Sequence, residues 1–383
     1  MKKKSSSTKD VLLEHSRAKV ELLKTYLSTY LNIISRVDYY EGIYIYDLFC
    51  GEGKYDDDNE GSPLVILRTI KSHYFSNKNS CPDIDVILND NGNSDIEVDK
   101  LKIERVKSLS EEIFTPNNVN IHFSNENYLN IGPLVLKNIK NYKRHKHLIF
   151  IDPHGYKEIS INQITALLSL GNAEVILFLP LFDMYRFARK SYDKEFKGGN
   201  ALRSFLHDSF DGKEKKFNSI FDFTNKLKEA FIIKTKCFVD TFLLEKEKSN
   251  YYGLFFFTPN ALGFEKMLEA KWKIDTEQGR GFSKRIESQK SLFESNVEIS
   301  KYPYDLDKFL QEGNKTNGDI YMFGLKKGYL PRHTKEVLKP FRDIGRLQVL
   351  NENGKKVPGN GYYLKYENYK NPPKKKVFYL LNQ

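Results

Sequence analysis

Apolar positions along the first half of the chain follow two rhythms. In "DVLLEHSRAKVELLKTYLSTYLNII" (Asp10 to Ile34), Leu12, Leu22, Leu23, Tyr26, Leu27, Tyr30 and Leu31 fall at helical spacing, which predicts one or two helices. Short apolar runs follow from Ile43 to Phe49, Asp85 to Asn89, Val119 to Phe123, His147 to Asp152 and Ala173 to Pro180. Each is of strand length, and segments of helical character separate them. Strands alternating with helices predict a parallel, doubly wound α/β sheet, which takes its ligands beyond the carboxyl ends of the strands.

The rhythm then changes. From Leu181 to Thr235 ("LFDMYRFARKSYDKEF…") the chain is charged and mostly helical in pattern, and reads as an insertion at about residues 181–235. Two strand-like runs, "CFVDTFLL" and "YYGLFFFT", are joined by polar "EKEKSN", as in a hairpin. A hairpin closing a parallel, Rossmann-like sheet gives it an antiparallel edge strand, the arrangement of class I methyltransferases and not of dehydrogenases. Composition shifts around "KSLFESNVEISKYPYD" (Lys290 to Asp305), which divides the chain into domains 1–300 and 301–383. Beyond it come a short helix, a turn, a helix beginning near Pro331, a strand, and a tail of two or three short strands with Gly and Pro turns. That order describes a winged helix.

With 383 residues, 40% of them hydrophobic, the chain can bury sizeable cores. Its longest apolar runs fall well short of the roughly 20 residues a membrane span needs. The start "MKKKSSSTKD" lacks the apolar core and cleavage site of a secretory signal, so a cytoplasmic location is expected. Cys50, Cys81 and Cys237 are too few and too scattered for a disulfide framework or a zinc site. The net charge of +11 is unevenly spread: residues 301–383 hold 17 Lys and Arg against 8 Asp and Glu, or +9, which leaves +2 for the first 300. A concentrated positive field points to a polyanion, DNA or RNA, as partner.

The first strand runs into "YIYDLFCGEGKY" (Tyr44 to Tyr55). Asp47 ends the apolar run, Phe49 follows, and Gly51 and Gly53 let backbone approach a ligand. A phosphate loop needs Gly-Lys-Ser/Thr, and the dinucleotide fingerprint needs a third glycine where this chain has acidic "DDDNE". Acids there repel a pyrophosphate but suit S-adenosylmethionine, which carries a sulfonium and an ammonium and no phosphate. Asp90, after the second strand, is placed to accept both ribose hydroxyls. Glu126 and Asn127, after the third, can meet an adenine edge. In "GSPLVIL", Ser62 and Pro63 are suited to start a helix.

The fourth strand ends in "LIFIDPHGY" (Leu148 to Tyr156). An exocyclic base amine delocalises its lone pair into the ring. Hydrogen bonds from its N–H groups to Asp152 and the Pro153 carbonyl would favour a pyramidal nitrogen aimed at a methyl donor, with Tyr156 stacked on the base. His154 stands where amino methyltransferases usually have a second proline or an aromatic, and is either a base or a loop histidine. No set of residues suggests a metal. In the C-terminal domain Arg332, His333, Lys335 and Lys339 fall on the expected recognition helix, and Lys355, Lys356 and Lys374 to Lys376 on the wing, interleaved with Tyr362, Tyr363 and Tyr366. Pro340 is expected to end or kink that helix. Arg186 and Arg189, in the insertion, could hold phosphate.

The blocks "EHSRAKVELLKTYLSTYLNII", "YIYDLFCGEGKY…EGSPLVIL", "HLIFIDPHGY", "AEVILFLPLFDMYRFAR", "YYGLFFFTPNALGFEKMLEAKWKIDTEQGRGF" and "GYLPRHTKEVLKPFRDIGRLQV", in that order over nearly the whole chain, resemble the three-Cys-motif partner protein family, methyltransferase-like proteins of bacteria and mobile elements. The Asp-x-x-x-Gly-x-Gly loop with Gly-Ser-Pro and Asp-Pro-x-x-Tyr is also similar to large-subunit rRNA adenine methyltransferases. That likeness implies cofactor contact by Asp47, Phe49, Gly51 and Gly53 and chemistry around Asp152, Pro153 and Tyr156. The family name implies a partner with a three-cysteine motif, itself like radical S-adenosylmethionine proteins. Cys50 replaces the usual alanine in the glycine loop.

The resulting expectation is an S-adenosylmethionine-dependent methyltransferase acting on nucleic acid at a base amine, with the winged helix adding affinity. The alternative is a methyltransferase-like domain without turnover, serving as an adaptor for its partner, with phage defence the setting such genomes suggest. A nuclease or hydrolase ranks third, since no metal-ligand cluster or nucleophile-base pair stands out.

Overall fold

The computed structural model describes residues 14–55, 59–78, 81–95, 97, 99–191, 199–213, 216–245, 251–275, 281–282, 301–359 and 361–381. The chain divides into two compact units, Met1–Asn260 and Ala261–Gln383. The helix Ala261–Ile274 belongs to the second: its Glu265 accepts a hydrogen bond from the Tyr321 hydroxyl at 2.6 Å, and the indole N–H of its Trp272 donates to the Gly328 carbonyl at 2.9 Å. The division therefore falls about forty residues before the change of composition near residue 300.

In the first unit, helix α1 (Glu14–Ile34) is followed by strand β1 (Gly42–Asp47), α2 (Ser62–Ser76), β2 (Asp83–Asn89), α3 (Lys102–Ser110), β3 (Val119–Ser124), α4 (Tyr128–Asn141), β4 (His145–Ile151), α5 (Ile161–Leu168) and β5 (Ala173–Leu179). Three helices, α6 (Leu181–Ser191), α7 (Asn200–Ser209) and α8 (Ile220–Thr235), lead to β6 (Phe238–Glu245) and β7 (Tyr251–Thr258). The strands of this unit are ordered β3-β2-β1-β4-β5-β7-β6. β1 to β5 are parallel, and β7 runs antiparallel to both β5 and β6. The antiparallel strand thus lies one place in from β6, the outermost strand of this unit on that side, where the sequence suggested an antiparallel edge. This is a Rossmann-like α/β sheet.

Burial follows position in the sheet. β1 and β5 are buried throughout, as central parallel strands covered on both faces must be, whereas outer β3 is only partly buried. Tyr46, Leu48, Ile149, Ile151, Val175 and Leu177 on one face join residues of α4, α5, α7 and α8 in a single core. On the other face Tyr26 of α1 packs edge-on against Phe256 of β7, ring centroids 4.9 Å apart. The segment expected as an insertion is part of this architecture: Leu202, Phe205, Phe223, Leu227 and Phe231 lie in the same core as β5 and β7.

The sheet's ordering reverses between β1 and β4, which is where such sheets open a ligand crevice. Asp47 ends β1 and Asp152 directly follows β4, so the two acids flank that point.

In the second unit, helices Lys301–Gln311, Asn317–Lys326 and Pro331–Asp343 precede strand Leu347–Asn351. That strand pairs antiparallel with Val377–Leu381, which in turn pairs with the two-residue strand Lys315–Thr316. Leu306, Leu310, Ile320, Leu325, Leu338, Val349 and Tyr379 are buried there. The third helix continues three residues past Pro340, to Asp343.

Candidate cofactor and acceptor site

The glycine loop after β1 is held from three sides. Gly51 and Gly53 have φ of +66° and +87°, a region glycine enters without steric cost. The Gly61 N–H donates to the Gly53 carbonyl at 2.7 Å and the Cys50 N–H to the Asn89 carbonyl at 3.0 Å. Glu52 accepts from the Ser94 hydroxyl at 2.6 Å and pairs with Arg105 at 3.2 Å, tying this loop to the one after β2. A Cβ at Gly51 would meet nothing within 4 Å, so the loop keeps open space on that side.

Asp90 closes the loop. Its Oδ2 accepts from the Gly51 N–H at 2.9 Å and its Oδ1 from the Gly92 N–H at 2.8 Å. A carboxylate expected to serve a ribose therefore already gives one acceptor site of each oxygen to backbone. Asn89 does similar work: its side-chain amide donates to the carbonyls of Leu48 and Glu126, and its carbonyl accepts from the Glu126 N–H. Glu126 and Asn127 are exposed. Asn127 caps α4, accepting from the Asn130 N–H at 3.0 Å. Phe49 stacks on Tyr128, centroids 5.5 Å apart.

Asp47 is fully buried, and neither of its carboxylate oxygens has a hydrogen-bond partner. Burial, with Asp152 nearby, pushes its pKa up to about 7, opposed by Lys19 and by the Ser62 hydroxyl and the Phe49 N–H, which lie close without closing a hydrogen bond. Ser62 does not cap α2; that place is held by Gly61, with Pro63 in the first turn. A buried carboxylate without a donor is costly, and a cationic ligand would relieve it.

On the other side of the crevice Asp152 is ion-paired with Lys19, which α1 carries inward. The Lys19 ammonium also lies 4.8 Å from the centre of the Phe178 ring, and Phe178 stacks on Tyr252 at 5.5 Å. Burial works against the Lys19 charge, yet Asp152, Tyr55 and Asp47 together raise its pKa above the ordinary value. Pro153 is half-buried and His154 exposed. Tyr156 is half-buried against the core, and burial, with Asp183 nearby, raises its pKa.

Of the residues expected to bind nucleic acid, Arg186 is exposed, pairs with Asp183 at 3.2 Å, and lies over the Phe187 ring at 4.4 Å. The Arg189 side chain lies outside the described residues. His333 is a capping residue: its Nδ1 accepts from the Leu330 N–H at 3.2 Å, and its ring centre lies 4.0 Å from that of Trp272. Burial lowers its pKa. Arg332 is exposed and donates to His333. Lys339, Lys355 and Lys356 are exposed and Lys335 half-buried. Among the wing residues Lys375 lies 3.9 Å from the Tyr363 ring centre, and Tyr362 is buried.

Sequence reading missed Lys19, Phe178 and Tyr252. Lys19 lies 133 residues from Asp152, and no local pattern joins them. Among the described residues no group of three or more His, Cys, Asp or Glu side chains is placed to hold a metal ion, and no helix is long and apolar enough to cross a membrane.

No protein-family model matches the chain, and no curated protein matches it. The likeness to three-Cys-motif partner proteins therefore rests on the sequence blocks alone. Among solved structures the chain is similar to a loganic acid methyltransferase with SAH, at 10% identity over 74% of this chain and 88% of the other, with a TM-score of 0.29.

Proposed function

We propose that this chain is an S-adenosylmethionine-dependent methyltransferase acting on nucleic acid at a base amine. The observation that carries the reading is Asp47: a buried carboxylate without a donor, at the carboxyl end of β1, beside a glycine loop with open space. Such a group calls for a cation that brings its own N–H donors, and an amino-acid ammonium meets that need. The acid-rich loop disfavours a pyrophosphate ligand, and the β7–β6 hairpin agrees with the methyltransferase arrangement.

The chain's own residues would divide the work as follows. Asp47 would hold the ammonium, Gly51 and Gly53 would admit the ligand close to backbone, and Phe49 would line the pocket beside Tyr128. Asp90 would brace the loop and could still accept from a ribose with its remaining lone pairs. Glu126 and Asn127 would meet an adenine edge. S-adenosylmethionine bound there supplies an electrophilic methyl group. Asp152 and the Pro153 carbonyl would accept the N–H groups of the acceptor, Tyr156 would stack on the base, and transfer would then depend mainly on positioning. His154, being exposed, would act at the rim.

From Lys301 onward the order helix, strand, helix, helix, strand, short helix, strand supports a winged helix. Lys335, Lys339, Lys355 and Lys356, with Arg332, would meet phosphate, and Arg186 would follow near the acceptor. A base buried in duplex would have to be flipped out, at a few kcal/mol.

The second reading is an adaptor without turnover, working with a three-Cys-motif partner. The ion pair that already engages Asp152 favours it. Incubation with S-adenosylmethionine labelled in its methyl group and with pools of RNA and DNA oligonucleotides separates the two. Methyl transfer that is lost in Asp152→Ala, while cofactor binding persists, supports the enzyme. Cofactor binding without transfer to either pool supports the adaptor.

A further inference from the structure

Lys19 was given no role within its sequence block, yet it is ion-paired with Asp152 in the site. Helix α1 is fixed on the sheet by Leu22, Leu23, Leu27 and Leu31, all buried, and by the Tyr26 hydroxyl, which donates to Glu174 of β5 at 2.5 Å. Glu174 also accepts from the Thr258 hydroxyl of β7 at 2.7 Å. With the helix held in this way, Lys19, about two turns before Tyr26, is turned inward and its side chain is only 12% exposed. There it meets Asp152, the face of Phe178 and the field of Asp47.

An ammonium offers three N–H donors. On the methyl-transfer reading, which this inference deepens and on which it rests, an acceptor amine must offer N–H donors to the same Asp152 carboxylate. Phe178 and Tyr252 beside it supply aromatic surface of the kind on which a base stacks. We propose that Lys19 is a positioning residue that fills the acceptor's place at Asp152 between turnovers, keeping the carboxylate aimed, and yields that place when a base amine enters. The acceptor therefore competes with an internal ammonium. Groups with no polar hydrogen to offer, such as a thioether, compete poorly.

Two arms test this. In the free protein, lysine labelling with formaldehyde and a borane reductant, read by peptide mass spectrometry, should find Lys19 slow in the wild type and about tenfold faster in Asp152→Asn, because the pairing holds and covers it. Equal rates in two variants of matching circular dichroism overturn the pairing.

The kinetic arm uses S-adenosylmethionine with the oligonucleotide pools. Lys19→Met should lower the acceptor KM, since competition is gone. It should also lower kcat about tenfold, since Asp152 is no longer held. Lys19→Arg should keep kcat nearer the wild type with a higher KM, because its fork grips the carboxylate more firmly. A merely structural role predicts unchanged KM with activity tracking thermal stability, and that result overturns the proposal. A wild-type protein that binds cofactor but methylates neither pool overturns the displacement together with the reaction, and the labelling arm tells this apart from a failure of the pairing itself.

Discussion

Asp90 receives the Gly51 N–H at 2.9 Å and, with its other oxygen, the Gly92 N–H at 2.8 Å, so the acid after the second strand fixes the shape of the loop after the first. Its replacement by alanine leaves two half-buried backbone donors without that acceptor. We expect Asp90→Ala to lose about 1–3 kcal/mol of stability and to weaken S-adenosylmethionine binding about tenfold or more. Denaturant titration and calorimetry check the two effects. Full stability with intact binding would contradict the bracing role.

Gly51 and Gly53 should respond differently to alanine. At Gly51 the new Cβ meets open space, so the cost to the fold is the positive φ alone, about 1–2 kcal/mol, and the main loss should be of ligand affinity. At Gly53 the Cβ would also come within 3.2 Å of Leu109, so stability should fall further. Thermal melts with and without cofactor separate the two.

The Asp47 carboxyl carries a pH signature. Its pKa of about 7 lies above the ordinary carboxyl value, so between about pH 4 and pH 7 the folded chain keeps a proton that the unfolded chain has released. Stability contributed by this group therefore falls as pH rises through that window and levels off above it. Asp47→Asn should gain stability relative to the wild type over the same range. Cation binding below pH 7 should expel the proton, seen as a binding enthalpy that changes with the ionisation enthalpy of the buffer.

Helix α8 should prove integral to the fold. Phe231 is fully buried, with ring centroids 5.1 Å from Phe255 and 5.5 Å from Phe257. Phe231→Ala should cost about 3–5 kcal/mol, far more than a change in a detachable insertion.

Within the second unit, replacing Lys339, Lys355 and Lys356 by glutamine should weaken nucleic-acid binding and make it less sensitive to salt, the slope falling by about one unit for each phosphate no longer neutralised. His333→Ala should instead lower stability, because its ring caps the Pro331–Asp343 helix. A gel-shift titration across salt concentrations checks the first, a thermal melt the second.

The strands were legible because a central parallel strand must be apolar on both faces, and β1, β4 and β5 read that way. Asp47 was legible for the same reason: a single acid ends a fully apolar run. Lys19 was overlooked, although it stands three and four residues before Leu22 and Leu23 on the apolar stripe of α1; what spacing does not record is that Asp152 meets it there. Asp90 and His333 were seen, but not that each also accepts from backbone N–H groups, a use that no residue pattern announces. Arg186 and Asp183 stand three apart on one helix, so their pairing could have been read from spacing alone. The antiparallel hairpin was visible in the chain, whereas the place of β7 between β5 and β6 depends on pairing that sequence does not record.

Calorimetric titration of S-adenosylmethionine into the wild type, Asp47→Ala and Asp152→Ala tests the central claim most directly. Binding by the wild type, retention in folded Asp152→Ala and loss in folded Asp47→Ala are expected. A folded wild-type protein that takes up no S-adenosylmethionine, or an Asp47→Ala variant that binds it as tightly, would contradict the account.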